Sequence, residues 1–116
     1  MSSSLQPLHY SQDNYLKSLR AYNSYHEVDY DINFWRTKSG LEVDFVLGGG
    51  EVAVEVKGFA RVDSRDLRSI NSFIEVYSPR KALVVCNEKE ERMAGNIRIM
   101  PWRKFLQDLW GGRIIG

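Results

Sequence analysis

The segment Leu41–Lys57 constrains this chain more than any other, because two arms of alternating polar and apolar residues flank three successive glycines, Gly48–Gly50. Side chains along a strand point alternately to opposite faces, and glycine accepts the positive φ angles that a tight hairpin turn demands. Turning the chain at Gly49-Gly50 opposes Asp44 with Glu55, Glu42 with Lys57 and Val46 with Ala53 on one face. Leu41, Val43, Phe45, Leu47, Val52, Val54 and Val56 then share the other, which is a core face. A register displaced by one would set Asp44 against Val54 and mix the faces, so the apolar pattern selects this pairing.

The flanking residues extend the hairpin. Ile32–Lys38, ended by Ser39-Gly40, adds a first strand and completes a three-stranded antiparallel meander. Ahead of it, Tyr15, Leu16, Leu19 and Tyr22 recur at helical spacing behind a cap at Ser11, with residues 1–10 a flexible lead-in. After the meander, Asp63 or Ser64 caps a helix striped by Leu67, Ile70, Phe73, Ile74 and Tyr77, and Ser78-Pro79 stops it. Lys81–Cys86 is a continuous apolar run, expected as a buried strand beside the meander. Asn87–Arg92 reads as a short helix or loop and Ile97–Met100 as a further short strand. Pro101 opens a last helix with Trp102, Phe105, Leu106, Leu109 and Trp110 on one stripe, and Gly111-Gly112 ends it. With 116 residues there is room for one core, so residues 11–116 are expected as a single α/β (α+β) domain.

Charge narrows the partners. Sixteen Lys and Arg against fifteen Asp and Glu give +1, too weak a field to attract a polyanion by itself. The distribution is uneven, with four basic and eight acidic residues in 1–56 and twelve and seven in 57–116. No run approaches the roughly 18 apolar residues of a membrane span, and Met1–Ser4 leads into no apolar run. A cytoplasmic protein without a membrane partner is the expectation. Cys86 is alone and sits in an apolar run, which suits an inert buried thiol. His9 and His26 form no ligand pattern, and no Ser-His-Asp or Cys-His set is readable.

The chemistry concentrates in the hairpin. Carboxylates directly opposed on adjacent strands, their Cβ atoms about 5 Å apart, repel unless a proton or a cation lies between them. Two readings stay open. In one, the face is solvated, Glu42 pairs with Lys57, and the repulsion costs about 1 kcal/mol or less. In the other, Asp44 and Glu55 hold Mg²⁺ or Mn²⁺, which favour a few carboxylate oxygens and leave positions for water and substrate phosphate. If the first hairpin turns at Ser39-Gly40, Trp35 becomes the cross-strand neighbour of Asp44 and floors the site, with Asn33 and Thr37 on the same face. Lys57 could reach a metal-bound water or a phosphate, a set of parts suited to phosphodiester hydrolysis. Arg61, Arg65 and Arg68, at spacings of four and three, are either the polar face of a helix or a ridge that touches nucleic-acid phosphate. Arg36 and Lys38 are expected to snorkel from the core face, and Trp102 and Trp110 have core spacing.

The order Asp44, Glu55, Val56, Lys57 resembles the Asp…Glu-X-Lys signature of the PD-(D/E)XK nuclease superfamily. The longer strings Phe34–Leu47 and Ala53–Gly58, with the Pro101–Leu109 tail, are similar to a domain of unknown function that follows an AAA+ ATPase module in many archaeal and bacterial proteins. The resemblance covers roughly residues 12–110. It implies a restriction-endonuclease-like αβββαβ core, a mixed central sheet flanked by helices. It also implies Asp44 and Glu55 as metal ligands with the Val56 carbonyl as a third, Lys57 as the residue that positions water, DNA as substrate, and an AAA+ ATPase as partner in cis or trans. Two positions depart from the pattern. Val43 stands where the superfamily's name has proline, and the first helix offers Asp13 and Asn14 rather than glutamate, a carboxylate that Glu42 could replace from the strand. A catalytically inactive module that binds DNA or docks on the ATPase is the alternative. No Gly-rich phosphate loop ending in Gly-Lys-Ser/Thr is present, so this chain is not itself the ATPase.

Overall fold

The computed structural model describes residues 10–25 and 30–115; the expected lead-in up to residue 9, His9, His26 and the side chains of Asp13 and Asn14 lie outside the described residues. Helix α1 (Tyr10–Tyr25) leads into β1 (Ile32–Arg36), β2 (Glu42–Leu47) and β3 (Val52–Val56). A 3-10 turn over Ser64–Leu67 opens α2 (Arg68–Tyr77), and β4 (Lys81–Cys86), β5 (Arg92–Ala94), β6 (Ile97–Pro101) and α3 (Trp102–Trp110) follow. The six strands form one mixed sheet in the order β1-β2-β3-β4-β6-β5. The meander is antiparallel, whereas β4 runs parallel to both β3 and β6. The expected αβββαβ order is therefore present, extended by the β5–β6 hairpin and α3.

The hairpin register is the one the apolar pattern selects, since Phe45 pairs with Val54, Val46 with Ala53 and Leu47 with Val52. The connection is wider than a two-residue turn. The ladder closes at Leu47–Val52, and Gly48, Gly49 and Gly50 all take positive φ (65°, 70° and 112°) to carry the chain back. The other difference lies between β1 and β2. Asn33 pairs with Val46 but Trp35 with Val43, so two steps on β1 answer three on β2, and Asp44-Phe45 form a bulge opposite Phe34. Trp35 consequently faces Val43 and not Asp44.

Helices cover both faces of the sheet. Phe45, Leu47, Val52, Val54, Leu83 and Val85 pack against Tyr15, Leu19 and Tyr22 of α1 and Phe105 and Leu109 of α3. On the far side Val46, Ala53, Val84 and Ile99 pack against Ile70 and Phe73 of α2, and the bulge sends Val43 to this layer with Trp35. The face bearing Val46 and Ala53 is thus a second core. The capping expectation for α2 is met by Asp63, whose side chain accepts from the Arg65 amide while Asp66 accepts from the Asp63 amide. Ser78, in the left-handed region at φ 48°, closes the helix. Asn87–Glu91 is a loop, with a strand from Arg92 that no periodicity announced, and Trp102 and Trp110 are 39% and 41% exposed rather than core. Cys86 is a free, buried thiol pushed up from its ordinary pKa by burial. Among the described residues, no helix is long and apolar enough to cross a membrane.

A buried tie fixes α1 to the meander: the Tyr30 hydroxyl donates to the Leu19 carbonyl at 2.8 Å, and Asn23 donates to the Tyr30 carbonyl at 3.0 Å. Replacing Tyr30 with Phe is expected to cost about 1 kcal/mol in urea unfolding with the m-value unchanged.

Candidate functional site

Glu55 and Lys57 stand at the carboxyl end of β3, where the parallel β3–β4 pair meets the loop to α2. Alternation sets Glu55 on the same face as Ala53, towards α2, beside Val84 of β4. Its residue is only 3% exposed, yet neither carboxylate oxygen receives a hydrogen bond. Lys57 Nζ lies 3.2 Å from Oε2 and forms an ion pair with it. Burial pushes the Glu55 pKa up to about 7; Lys57 opposes that shift, while Asp44 and then Glu42 add to it.

Asp44 is set by the bulge. The β2–β3 ladder ends at Phe45–Val54, so the expected Asp44–Glu55 ladder pair is replaced by a side-chain contact, the Val56 amide donating to Asp44 Oδ2 at 2.8 Å. Val56 therefore orients Asp44 through its N–H. Glu42 does not pair with Lys57; its cross-strand neighbour Arg36 takes it at 3.3 Å, and its amide donates to Ser69 of α2 at 3.2 Å. Arg36 is accordingly tied to a carboxylate rather than free to snorkel. Among the described residues, no three His, Cys, Asp or Glu side chains gather as a group able to hold a metal ion. What the strands bring together is Asp44, Glu55 and Lys57, with Glu42 near enough to act on the Glu55 charge.

The remaining expected residues are dispersed. Trp35 packs edge-on against Phe73 and Tyr77, with ring centroids 5.4 and 6.5 Å away, and so supports α2 instead of flooring the carboxylates. Arg65 lies 3.3 Å from the exposed Asp63 carboxylate at the helix cap. Arg61, in the loop before the cap, helps hold the Glu88 carboxyl low, and Arg68 is exposed at the start of α2.

Two buried carboxylates escaped the sequence reading. Glu88 accepts from Arg92 Nε and Nη2, both at 2.8 Å, and from the Val62 amide at 2.8 Å, while Arg92 also donates to the Val62 carbonyl. Asp108 is met by Lys104, Arg98 and Arg113 at 3.1, 3.3 and 3.0 Å. Burial pushes the Asp108 carboxyl up, but these cations outweigh it and hold it below the usual range. Both carboxylates have partners where Glu55 has almost none. The i,i+4 spacings Glu88–Arg92 and Lys104–Asp108 were the only local signals.

A groove of about 540 Å³ opens on the other side of the same strand ends, lined by α1 (Tyr15, Lys17, Ser18), α3 (Trp102, Leu106), Val56–Gly58 and Cys86-Asn87. Lys57 is common to this groove and to the carboxylate pair.

Comparison with protein families matches residues 15–105 to a domain of unknown function, DUF4143. No curated protein and no solved structure matches the chain.

Proposed function

We propose, for a chain that belongs to the DUF4143 family, a Mg²⁺- or Mn²⁺-dependent phosphodiesterase acting on DNA through Asp44, Glu55 and Lys57. The observation that carries this reading is Glu55, buried with both carboxylate oxygens unbonded beside a second carboxylate. A buried carboxylate without hydrogen bonds costs several kcal/mol or takes up a proton. Such a group suits a cation that arrives with the substrate. Asp44 and Glu55 would hold it, with the Val56 carbonyl as a third ligand, and it would lower the pKa of a bound water and draw charge from the phosphate.

The protein's own groups supply the rest. The Val56 amide fixes Asp44, and Lys57, drawn towards the strand end by Glu55, stabilises the negative charge that gathers on the phosphate oxygens as water adds to phosphorus. The bond to one ester oxygen breaks, leaving a phosphomonoester and an alcohol. Arg61 and Arg68, with Arg65 where it leaves Asp63, would meet flanking phosphates and make affinity fall with salt. Glu42 assists through its charge. An AAA+ ATPase remains the proposed partner, in cis or trans.

A second reading has its own observation. Among the described residues only two carboxylates gather at the strand end, and Lys57 already offsets one of them. A nuclease-like module that binds DNA or docks on the ATPase without cleaving would need no more.

Thermal unfolding under a titration of Mg²⁺ or Mn²⁺ separates the two. For the enzyme, saturable stabilisation is expected, about 2.7 kcal/mol at a hundredfold excess over Kd, lost in Asp44→Asn together with metal-dependent DNA cleavage. Cleavage that persists in Asp44→Asn or Lys57→Ala would sink the assignment, and equal metal response of both proteins with no cleavage favours the docking module.

A further inference from the structure

We propose that the groove between α1 and α3 binds one unpaired nucleotide of the DNA strand, so that the substrate class of the Lys57 site is DNA with a single-stranded or frayed end. This rests on the phosphodiesterase reading for the destination of the phosphate, and on the groove alone for the nucleotide.

The groove's volume, about 540 Å³, lies within the range of sites that enclose a small molecule. Its walls are of three kinds. Trp102, 39% exposed at the start of α3, offers an indole surface, and the Arg103 guanidinium stands 5.1 Å from its ring centroid. Arg103 covers one face of this indole, and the other can stack on a base, whichever base it is, because each has a π face. Asn87 commits one amide hydrogen to the Gly58 carbonyl at 3.3 Å, while its backbone amide donates to Phe59. The side chain is thereby held in place, and its oxygen remains as an acceptor for the edge of a base.

The third wall is positive. Lys57 and Lys17 line the groove, and among the described residues no carboxylate does. Lys57 lines the groove and lies 3.2 Å from Glu55, so a nucleotide phosphate that meets Lys57 stands at the strand end that carries the carboxylate pair. A duplex cannot use such a groove without unstacking, since the base must leave its neighbours to meet the indole. This charge pattern favours a nucleotide over an uncharged apolar ligand.

The test is NMR titration of the metal-free protein with deoxyadenosine 5′-monophosphate, following the Asn87, Gly58 and Trp102 resonances. Saturable shifts confined to the groove are expected, with binding weakened about tenfold or more by Trp102→Ala and restored in large part by Trp102→Tyr. Absence of saturable shifts, binding indifferent to Trp102→Ala, or equal shifts from inorganic phosphate alone would overturn the proposal. Nucleotide binding without metal stabilisation would remove the phosphodiesterase and keep the groove; metal stabilisation without nucleotide binding would do the reverse.

Discussion

Wild-type protein is expected to lose on the order of 3 kcal/mol of stability between pH 4.5 and pH 8 relative to a Glu55→Gln variant. The sign follows from which state binds the proton. Glu55 titrates near 4.5 when exposed and near 7 in the fold, where burial outweighs the help of Lys57. Between those values the folded state holds a proton that the unfolded chain has released, so the contribution of Glu55 is fully present below 4.5. It is lost as pH rises through about 7. Urea unfolding at half-unit pH steps gives the slope for each protein. The two histidines are common to both proteins, so the difference isolates Glu55. A wild-type curve parallel to that of Glu55→Gln would mean that the carboxylate stays ionised in the fold.

A divalent cation should reverse this slope. It binds the ionised carboxylate, so its affinity and its stabilisation grow as pH rises through the Glu55 transition. The same residue thus provides a test of burial without metal and of ligation with it. Lys57→Ala sharpens the comparison, because removing the Lys57 charge leaves burial, Asp44 and Glu42 all acting in the same direction and shifts the Glu55 transition to higher pH.

The register of β2 and β3 was legible because apolar alternation and three glycines agree on it. The bulge at Asp44-Phe45 was not, since nothing in Phe34 or in the two bulged residues distinguishes an extra residue on β2 from regular pairing. That single extra residue separated Trp35 from Asp44 and moved Val43 beneath α2. It also ended the ladder in time for Asp44 to take the Val56 amide. Asp44, Glu55 and Lys57 were therefore found together by pattern, while the geometry that relates them came from a local irregularity. The sense in which the second face is buried was equally hidden, because Val46 and Ala53 become core only once α2 crosses from β3 to β4. The short β5 begins where a charged stretch ends, and its three residues carry too little periodicity to show.

Glu88→Ala is expected to destabilise the protein by about 3 kcal/mol near pH 7, the lower end for breaking a buried ion pair because Arg92 retains some solvent. Glu88 joins segments distant in sequence. It receives the Val62 amide from the loop ahead of α2 and both Arg92 donors from β5, and Arg92 in turn holds the Val62 carbonyl. Removing it strands the Val62 N–H and leaves Arg92 without its counterion. The Arg92 hydrogen bonds hold the Glu88 carboxyl well below the usual range, at about 2. Its contribution is therefore complete above the unfolded value near 4.5 and disappears as the pH falls through about 2. Urea unfolding of wild type and Glu88→Ala should accordingly differ most at neutral pH and converge in acid, the opposite of the Glu55 pattern. A difference that persists at pH 2 would mean that Glu88 acts through packing rather than charge. Since Asn87 precedes it on the rim of the groove, the same substitution should also loosen the loop that holds Asn87 against Gly58 and Phe59. Faster amide exchange at Asn87 and Val62, with β2 and β3 unchanged, is the signature of that local release.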